Sequence, residues 1–274
     1  MDTRYGKVKW GKNQPRVRTS AANWRQPIKW NKSGATGKLR RQRIFCASLS
    51  DWLDDEIPIE LLADLMNLIY ATPNLDWLLL TKRPENFVSR LSGVQFGTEN
   101  ADGNWIDCWL SGEPPKNVWI GTSVEDQVRA NERIPELLKI PASVRFLSVE
   151  PMLGPINFNY SCLNGADSLT AMPGINLVIF GGESGPGARP CSVEWIRDGV
   201  RQCRAAGVAP FVKQLGADCR CDNANEFDWP DDAQLEAAGE AFASCRVRLR
   251  DKKGGDMSEW PEALRVREFP EVSR

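Results

Sequence analysis

Histidine is missing altogether from these 274 residues. That absence removes Ser-His-Asp triads, Cys-His pairs and the HExxH zinc site from consideration. Acid–base work is left to Glu, Asp, Lys, Tyr, Cys or a bound cofactor. Long apolar runs are missing too: none approaches the roughly 20 residues that span a bilayer. No secretory signal opens the chain, so a soluble, cytoplasmic protein is expected. Cysteines are scattered, at 46, 108, 162, 191, 203, 219, 221 and 245, a spacing that predicts reduced, packed thiols and not a disulfide framework. Only Cys219 and Cys221 are close, and one spacer residue is not the usual zinc spacing.

Charge is unevenly placed. Of the 35 Lys and Arg, 13 fall within residues 1–43 against the single acid Asp2, leaving 22 basic and 35 acidic residues in the remainder. Tyr5, Trp10, Trp24 and Trp30 lie among these cations. Cations interleaved with aromatics suit a nucleic-acid backbone, with rings free to stack on bases. The opposite charge of the rest offers a second reading, in which the basic arm docks onto the acidic body of its own chain.

Six short apolar runs end abruptly in polar residues: RIFCAS, DWLLLTKR, NVWIGTSVE, VRFLSVE, NLVIFGGE and PFVKQ. Measured at Cys46, Leu80, Ile120, Ser148, Phe180 and Val212, they recur at steps of 34, 40, 28, 32 and 32 residues. That is the length of one βα unit. The fold class is therefore α/β: a partial TIM-type (β/α) barrel of about six parallel strands, with an open α/β sheet as the neighbouring possibility. In both, ligands sit at the carboxyl ends of the strands. A division follows into an arm over 1–42, a barrel over 43–216 and an extension over 217–274.

The run at 177–180 breaks into Gly181, Gly182, Gly185 and Gly187, and a helical pattern follows from Ser192 with Val193, Ile196, Val200 and Cys203, stopped by Gly207. Strand, glycine loop and helix let backbone N–H groups approach an anion closely. A tight βα turn needing positive φ is the plainer alternative. Elsewhere the pattern predicts a helix from about Pro58 to Tyr70 and a short helix from Pro84. A helical stretch over 126–140 is expected to break in two at Pro135. Residues 1–42 are expected to be irregular, 92–116 and 157–174 to be surface loops, 215–232 to be irregular, and the end from Ser258 to be a surface tail. CRVRLR at 245–250 alternates like a strand.

FCASLSDWLDD, DWLLLTKRPEN, NVWIGTSVEDQ, RIPELLKIPASVRFLSVEPMLGPI, VIFGGESGPGARP, FVKQLG and DKKGGDMSEWPEALRVREFP together resemble the phage-derived three-cysteine-motif proteins, a radical-S-adenosylmethionine-like family. The likeness runs from about Trp24 to Pro270. It implies a partial TIM-type barrel of phage or prophage origin that holds S-adenosylmethionine over a four-iron–four-sulfur cluster, with nucleic acid as a candidate object of modification. In the family, three closely spaced cysteines precede the matched region. No three of the cysteines here have that spacing, so the expectation is a cluster-deficient barrel, either because the reading frame begins late or because the ligands are lost.

Candidate roles follow for the polar strand ends. Lys82 and Arg83 are candidates for a carboxylate or phosphate of the cofactor, or for a salt bridge to Glu125 or Glu150. Ser123 and Glu125 are placed to bond ribose hydroxyls and Glu183, beside Ser184, to accept from an amino group, while Gly181 and Gly182 permit close backbone approach. Lys213 and Glu150 are the candidate catalytic acid–base groups, with an ordinary strand-end lysine as the plainer reading of Lys213. Two other function classes remain open: a phosphate-binding barrel hydrolase or transferase with Glu150 or Glu183 as base, and a non-catalytic nucleic-acid-binding protein.

Overall fold

The computed structural model describes residues 11–35, 41–46, 50–97, 103–158, 172–222, 229–230, 234–237 and 245–272. Six strands run parallel in the order β1-β2-β3-β4-β5-β7, a curled sheet of half-barrel form flanked by helices. The partial barrel of about six strands expected from the spacing of the apolar runs is thus present. The chain divides into two units, residues 1–120 with 140–143 and residues 121–139 with 144–274. No helix among the described residues is long and apolar enough to cross a membrane.

In the first unit, β1 (Gln42–Cys46) pairs in parallel with β2 (Leu75–Thr81), from Gln42 opposite Leu75 to Cys46 opposite Leu79. Between them lies α2 (Ile59–Tyr70), entered from Pro58, whose fixed φ suits a helix start. It buries Leu62, Ala63, Met66 and Ile69, and each larger side chain removed from water there contributes about 1.5–3 kcal/mol. Thr72 ends it: its hydroxyl donates to Leu68 O at 2.6 Å and accepts from the Trp77 indole at 3.0 Å. A short 3-10 turn (Pro84–Asn86) leads into α3 (Phe87–Gly97), α4 (Gly103–Leu110) and the start of β3 (Val118–Ser123).

Two expectations fail in this unit. Residues 21–35 form α1, a helix started by Ser20, whose hydroxyl accepts from Asn23 N–H at 3.3 Å. Pro27 inside it and the many polar residues around Trp24, Ile28 and Trp30 hid it, since proline argues against a helix interior. Of the surface loop expected at 92–116, residues 92–97 and 103–110 are helical: α3 runs on to Gly97, and α4 buries Ile106 and Trp109 completely, while residues 98–102 lie outside the described residues. The Gly, Asn and Asp flanking α4 masked the spacing of Trp105, Ile106, Trp109 and Leu110. Arginines of the arm also meet acids of their own unit. Arg16 pairs with Asp54 at 2.8 Å and Glu56 at 3.0 Å, Arg18 with Asp64 at 2.7 Å, and Arg18 lies 4.2 Å from the Trp24 ring. Residues 1–10, with Tyr5 and Trp10, lie outside the described residues.

The second unit holds the end of β3, α5 (Gln127–Lys139), β4 (Val144–Val149), β5 (Leu177–Gly181), β6 (Cys191–Ser192), α6 (Val193–Ala205), β7 (Ala209–Gln214), β8 (Cys219–Cys221), β9 (Gln234–Ala237) and β10 (Cys245–Arg248). All five β5 residues are buried, as a strand covered on both faces requires. α5 is continuous through Pro135. Proline removes one backbone donor, and burial of Ala130, Ile134 and Leu137 on either side of it offsets that loss. α6 starts at Ser192, whose hydroxyl accepts from Glu194 N–H at 3.2 Å, and Gly207 follows it at φ +69°. Gly199 on its buried face lets the Phe180 ring pass, since a Cβ there would lie 2.4 Å from the ring.

Residues 258–272 are not a surface tail. Trp260 and Leu264 are fully buried, and Val266 is nearly so. The segment runs antiparallel to the outer edge of β7, with Val212 N–H donating to Val266 O at 2.9 Å and Glu268 N–H to Pro210 O at 3.0 Å. An exposed strand edge is covered in this way. The polar stretch after Leu215 contains β8, which joins β6, β10 and β9 in a second sheet of order β6-β8-β10-β9. Charged neighbours hid its short Cys-Arg-Cys core. Of the expected loop at 157–174, residues 159–171 lie outside the described residues.

Candidate functional site at the strand ends

Within the second unit, β5 lies between β4 and β7, and polar residues stand at or just beyond the end of each: Glu150, Glu183, and Lys213 with Gln214. Val149 closes β4, and Pro151, which has no N–H to donate, ends the ladder after Glu150. The chain then folds back, with Met152 N–H donating to Gly181 O at 2.9 Å and Leu153 N–H to Glu125 O at 2.8 Å. These bonds fix Glu150 over the end of β5. There it meets Lys213, whose Nζ donates to both carboxylate oxygens, at 2.8 and 2.9 Å. The two candidate catalytic groups are therefore an ion pair.

Gly181 lies between Glu150, which follows β4, and Gln214 at the end of β7. A Cβ at Gly181 would lie 3.3 Å from Glu150 Cγ and 3.5 Å from Gln214 Cγ, so the missing side chain gives the Glu150 side chain its room. Gly182 has a different reason. Its Cβ would lie 2.3 Å from Leu215 O and 2.8 Å from Gly216 Cα. The close approach expected of a ligand at this glycine is made by the chain's own backbone. Gly182 N–H donates to Gln214 O at 3.1 Å, and the buried Gln214 amide donates back to Gly182 O at 2.8 Å.

Glu183, the next residue, is held by Arg189. The guanidinium Nε donates to Oε2 at 2.8 Å and the Arg189 backbone N–H donates to the same oxygen at 3.0 Å. The turn between them uses Gly185 and Gly187 at φ +102° and +72°, values open to glycine without strain. Ser184 sits half-buried beside Glu183. The Arg189 hydrogen bonds hold the Glu183 carboxyl below its ordinary value against the opposing effect of burial. Its partner's pKa is raised by the same bonds, and Glu125 adds to that field. Arg189 escaped the sequence reading because nothing in GARP marks an arginine that folds back six residues.

Because the folded Glu183 carboxyl is the stronger acid, its contribution to stability is complete above the unfolded-state carboxylate range. It is lost as pH falls through the depressed folded value. With half of the guanidinium in solvent, the pair contributes at most about 1 kcal/mol. Melting curves of the wild type and Glu183→Gln should therefore differ at neutral pH and converge in acid. A difference that persists or grows on acidification would refute the assignment.

Ser123 and Glu125 serve the same unit differently. Glu125 is buried against Arg133 at 2.8 Å, and the same Arg133 nitrogen donates to Ser123 O at 2.7 Å. Arg133 thereby ties α5 to the end of β3, and the Glu125 carboxylate points at a guanidinium of its own chain. In the first unit, Lys82 and Arg83 follow β2 as expected, and the carboxylates they find there belong to the acidic loop after β1. Asp51 accepts from Thr81 Oγ at 2.6 Å, Lys82 N–H at 2.8 Å and Arg83 Nη1 at 3.1 Å, while Asp54 lies 3.8 Å from Arg83. Burial raises the Asp54 pKa, but hydrogen bonds from Arg16 and from Glu56 N–H, with the charges of Arg83 and Arg16, outweigh it and leave it lowered. Asp51 and Asp54 were visible in the sequence only as an acidic run.

Chemically, the strand ends of the second unit offer two carboxylate–cation pairs whose cations are the exposed members. Lys213 and Arg189 are 51% and 47% exposed, against 20% and 25% for Glu150 and Glu183. Such pairs are weak enough in water to exchange partners. An apolar crevice in the same unit, lined by Ile134, Leu138, Leu147, Phe158 and Met172, has no polar group to orient a ligand. Among the described residues no three His, Cys, Asp or Glu side chains are placed to hold one metal ion. No curated protein and no solved structure matches the chain. Residues 1–257 match the sequence profile of one family, described as "Protein of unknown function (DUF5131)", and the chain belongs to that family.

Proposed function

We propose that this protein binds a small zwitterion at the strand ends of its second unit, and that the zwitterion is the amino-acid portion of S-adenosylmethionine. The reading joins the resemblance to phage-derived, radical-S-adenosylmethionine-like proteins with one observation. Lys213–Glu150 and Arg189–Glu183 are two exchangeable ion pairs, flanking Gly181 and Gly182 at the ends of adjacent strands. A ligand carboxylate takes the place of Glu150 at Lys213, and a ligand ammonium takes the place of Arg189 at Glu183. In each exchange Lys213 and Glu183 keep a partner of opposite charge, and the displaced Glu150 and Arg189 carry opposite charges that offset one another at the same strand ends.

The iron–sulfur cluster implied by the same resemblance does not fit the residues present. The described thiols form no group of three that converges on one metal position, and Cys162 lies outside the described residues. No radical step is derived, and the proposal is one of binding. A phosphate-cleaving site with Glu183 as base is disfavoured, because a carboxyl whose pKa is lowered by Arg189 is a weakened base. Modification of nucleic acid through the arm draws less support, since Arg16 and Arg18 already meet Asp54, Glu56 and Asp64.

Calorimetric titration with S-adenosylmethionine tests the proposal. Lys213→Ala and Glu183→Ala should each weaken binding at least tenfold, about 1.4 kcal/mol, while each costs no more than about 1 kcal/mol of stability as a solvent-exposed pair. Absence of binding by the wild type, or unchanged affinity in both variants, would overturn it. Titration with inorganic phosphate separates this reading from the phosphate-cradle alternative.

A further inference from the structure

Four of the cysteines scattered along the chain meet on the second sheet. β6 and β8 are parallel, with Cys191 opposite Cys219, while β8 and β10 are antiparallel, with Cys221 opposite Cys245. Residues two apart on a strand, and residues paired across strands, project to the same face. All four thiols therefore share one face of three adjacent strands. Their charges act on one another in that order: Cys191 and Cys221 bear on Cys219, and Cys245 bears on Cys221.

The two register pairs differ in access. Cys191 and Cys219 are 1% and 0% exposed, and burial pushes both thiols up, that of Cys191 to about 12. Cys221 is equally enclosed, but its partner Cys245 is only half-buried. Paired residues on antiparallel strands have Cα atoms about 4.5–5.5 Å apart, inside the range of about 4.4–6.8 Å that a disulfide bridges.

We infer that Cys221 and Cys245 are an oxidisable pair, with Cys245 the thiol that reacts with solvent-borne disulfides and Cys221 the thiol that resolves the product. The Cys245 thiol gives its proton to solvent, and the thiolate attacks one sulfur of a low-molecular-weight disulfide. A mixed disulfide forms and one small thiolate leaves. Cys221 then loses its proton and attacks the Cys245 sulfur, expelling the second small thiolate. The protein loses two electrons and two protons, and one small disulfide becomes two thiols. The Cys191–Cys219 pair, closed to the reagent at both ends, stays reduced.

The bond formed would fasten β10 to β8 and close the chain between them into a loop. β10 leads to the turn at Asp251–Gly254, where Gly254 O accepts from Leu215 N–H at 2.8 Å directly after β7. Oxidation would thus brace the strand that carries Lys213, a consequence independent of what the strand ends bind.

Incubation of the full chain with oxidised glutathione, followed by alkylation and peptide mapping without reductant, tests this. The expected product is a Cys221–Cys245 disulfide with Cys191 and Cys219 recovered as thiols. Cys221→Ser should accumulate a stable glutathione adduct on Cys245, and Cys245→Ser should yield neither adduct nor disulfide in this sheet. Recovery of both Cys221 and Cys245 as free thiols in the wild type would overturn the inference, as would a bridge formed first between Cys191 and Cys219.

Discussion

Replacing Trp109 by alanine should lower the unfolding free energy by about 3–5 kcal/mol, the range for truncating a fully enclosed large aromatic. Trp109 is completely buried. Its ring stacks on Trp52 at 6.4 Å and on Trp105 at 5.9 Å, and meets Phe87 edge-on at 5.2 Å. Its indole N–H donates to Pro141 O at 2.7 Å. Truncation removes those contacts, opens a cavity among side chains of its own helix and two other segments, and leaves a carbonyl without its donor. Urea denaturation followed by far-UV circular dichroism measures the loss without depending on tryptophan fluorescence. Trp109→Phe separates the two contributions, since it keeps most of the ring contact and forfeits the hydrogen bond, costing about 1 kcal/mol on that account. A loss below about 0.5 kcal/mol for the alanine variant is what an exposed residue gives. It would restore the surface-loop reading of residues 92–116.

The contrast between α4 and β5 shows which parts of this fold its sequence discloses. Leu177-Val178-Ile179-Phe180 is apolar at every position because the strand is covered on both faces, and that requirement is met within the run itself. α2 and α6 combine a helical apolar face with a start signal at Pro58 or Ser192, so both were legible. α4 has two turns and an apolar face made of tryptophans, set between Gly, Asn and Asp, and its identity as a helix depends on partners at Trp52 and Phe87. The segment after Ser258 likewise has no local period. It is ordered by hydrogen bonds to the edge of β7 and by burial of Trp260, whose indole donates to Gly254 O at 3.0 Å.

The candidate site divides along the same line. Glu150, Glu183 and Lys213 were named because polar residues at strand ends are a local pattern. Their pairing was not legible, because Glu150 and Lys213 are 63 residues apart and meet only through the order β4-β5-β7. Arg133 and Arg189 were passed over for the related reason that one lies on a helix and the other in a turn. Both supply a counter-charge to a strand-end carboxylate, Arg133 to Glu125 and Arg189 to Glu183. Cys245 joined Cys221 by register alone.

Gly181 and Gly182, adjacent in sequence and identical in type, should respond to alanine in opposite ways. At Gly182 the added Cβ meets only backbone, Leu215 O at 2.3 Å and Gly216 Cα at 2.8 Å. No rotamer change relieves such a contact, so the ends of β5 and β7 must part. The Gly182 N–H bond to Gln214 O at 3.1 Å and the buried Gln214 amide bond to Gly182 O at 2.8 Å then weaken together. Overpacking of this kind costs about 1–3 kcal/mol and more where backbone must move. The melting point should fall by roughly 2–4 °C for each kcal/mol in a chain of this size. At Gly181 the tightest neighbour is Glu150 Cγ at 3.3 Å, a contact that a shift of the Glu150 side chain by a few tenths of an ångström relieves, and Gln214 Cγ at 3.5 Å is in ordinary van der Waals contact. Gly181→Ala should therefore cost under about 1 kcal/mol of stability while pushing Glu150 off Lys213, which removes the competitor for the ligand carboxylate and strengthens zwitterion binding. If both glycines existed to let a ligand approach, both variants would lose binding and keep their melting points. The pair of measurements separates a glycine that admits the chain's own backbone from one that gives the Glu150 side chain its room.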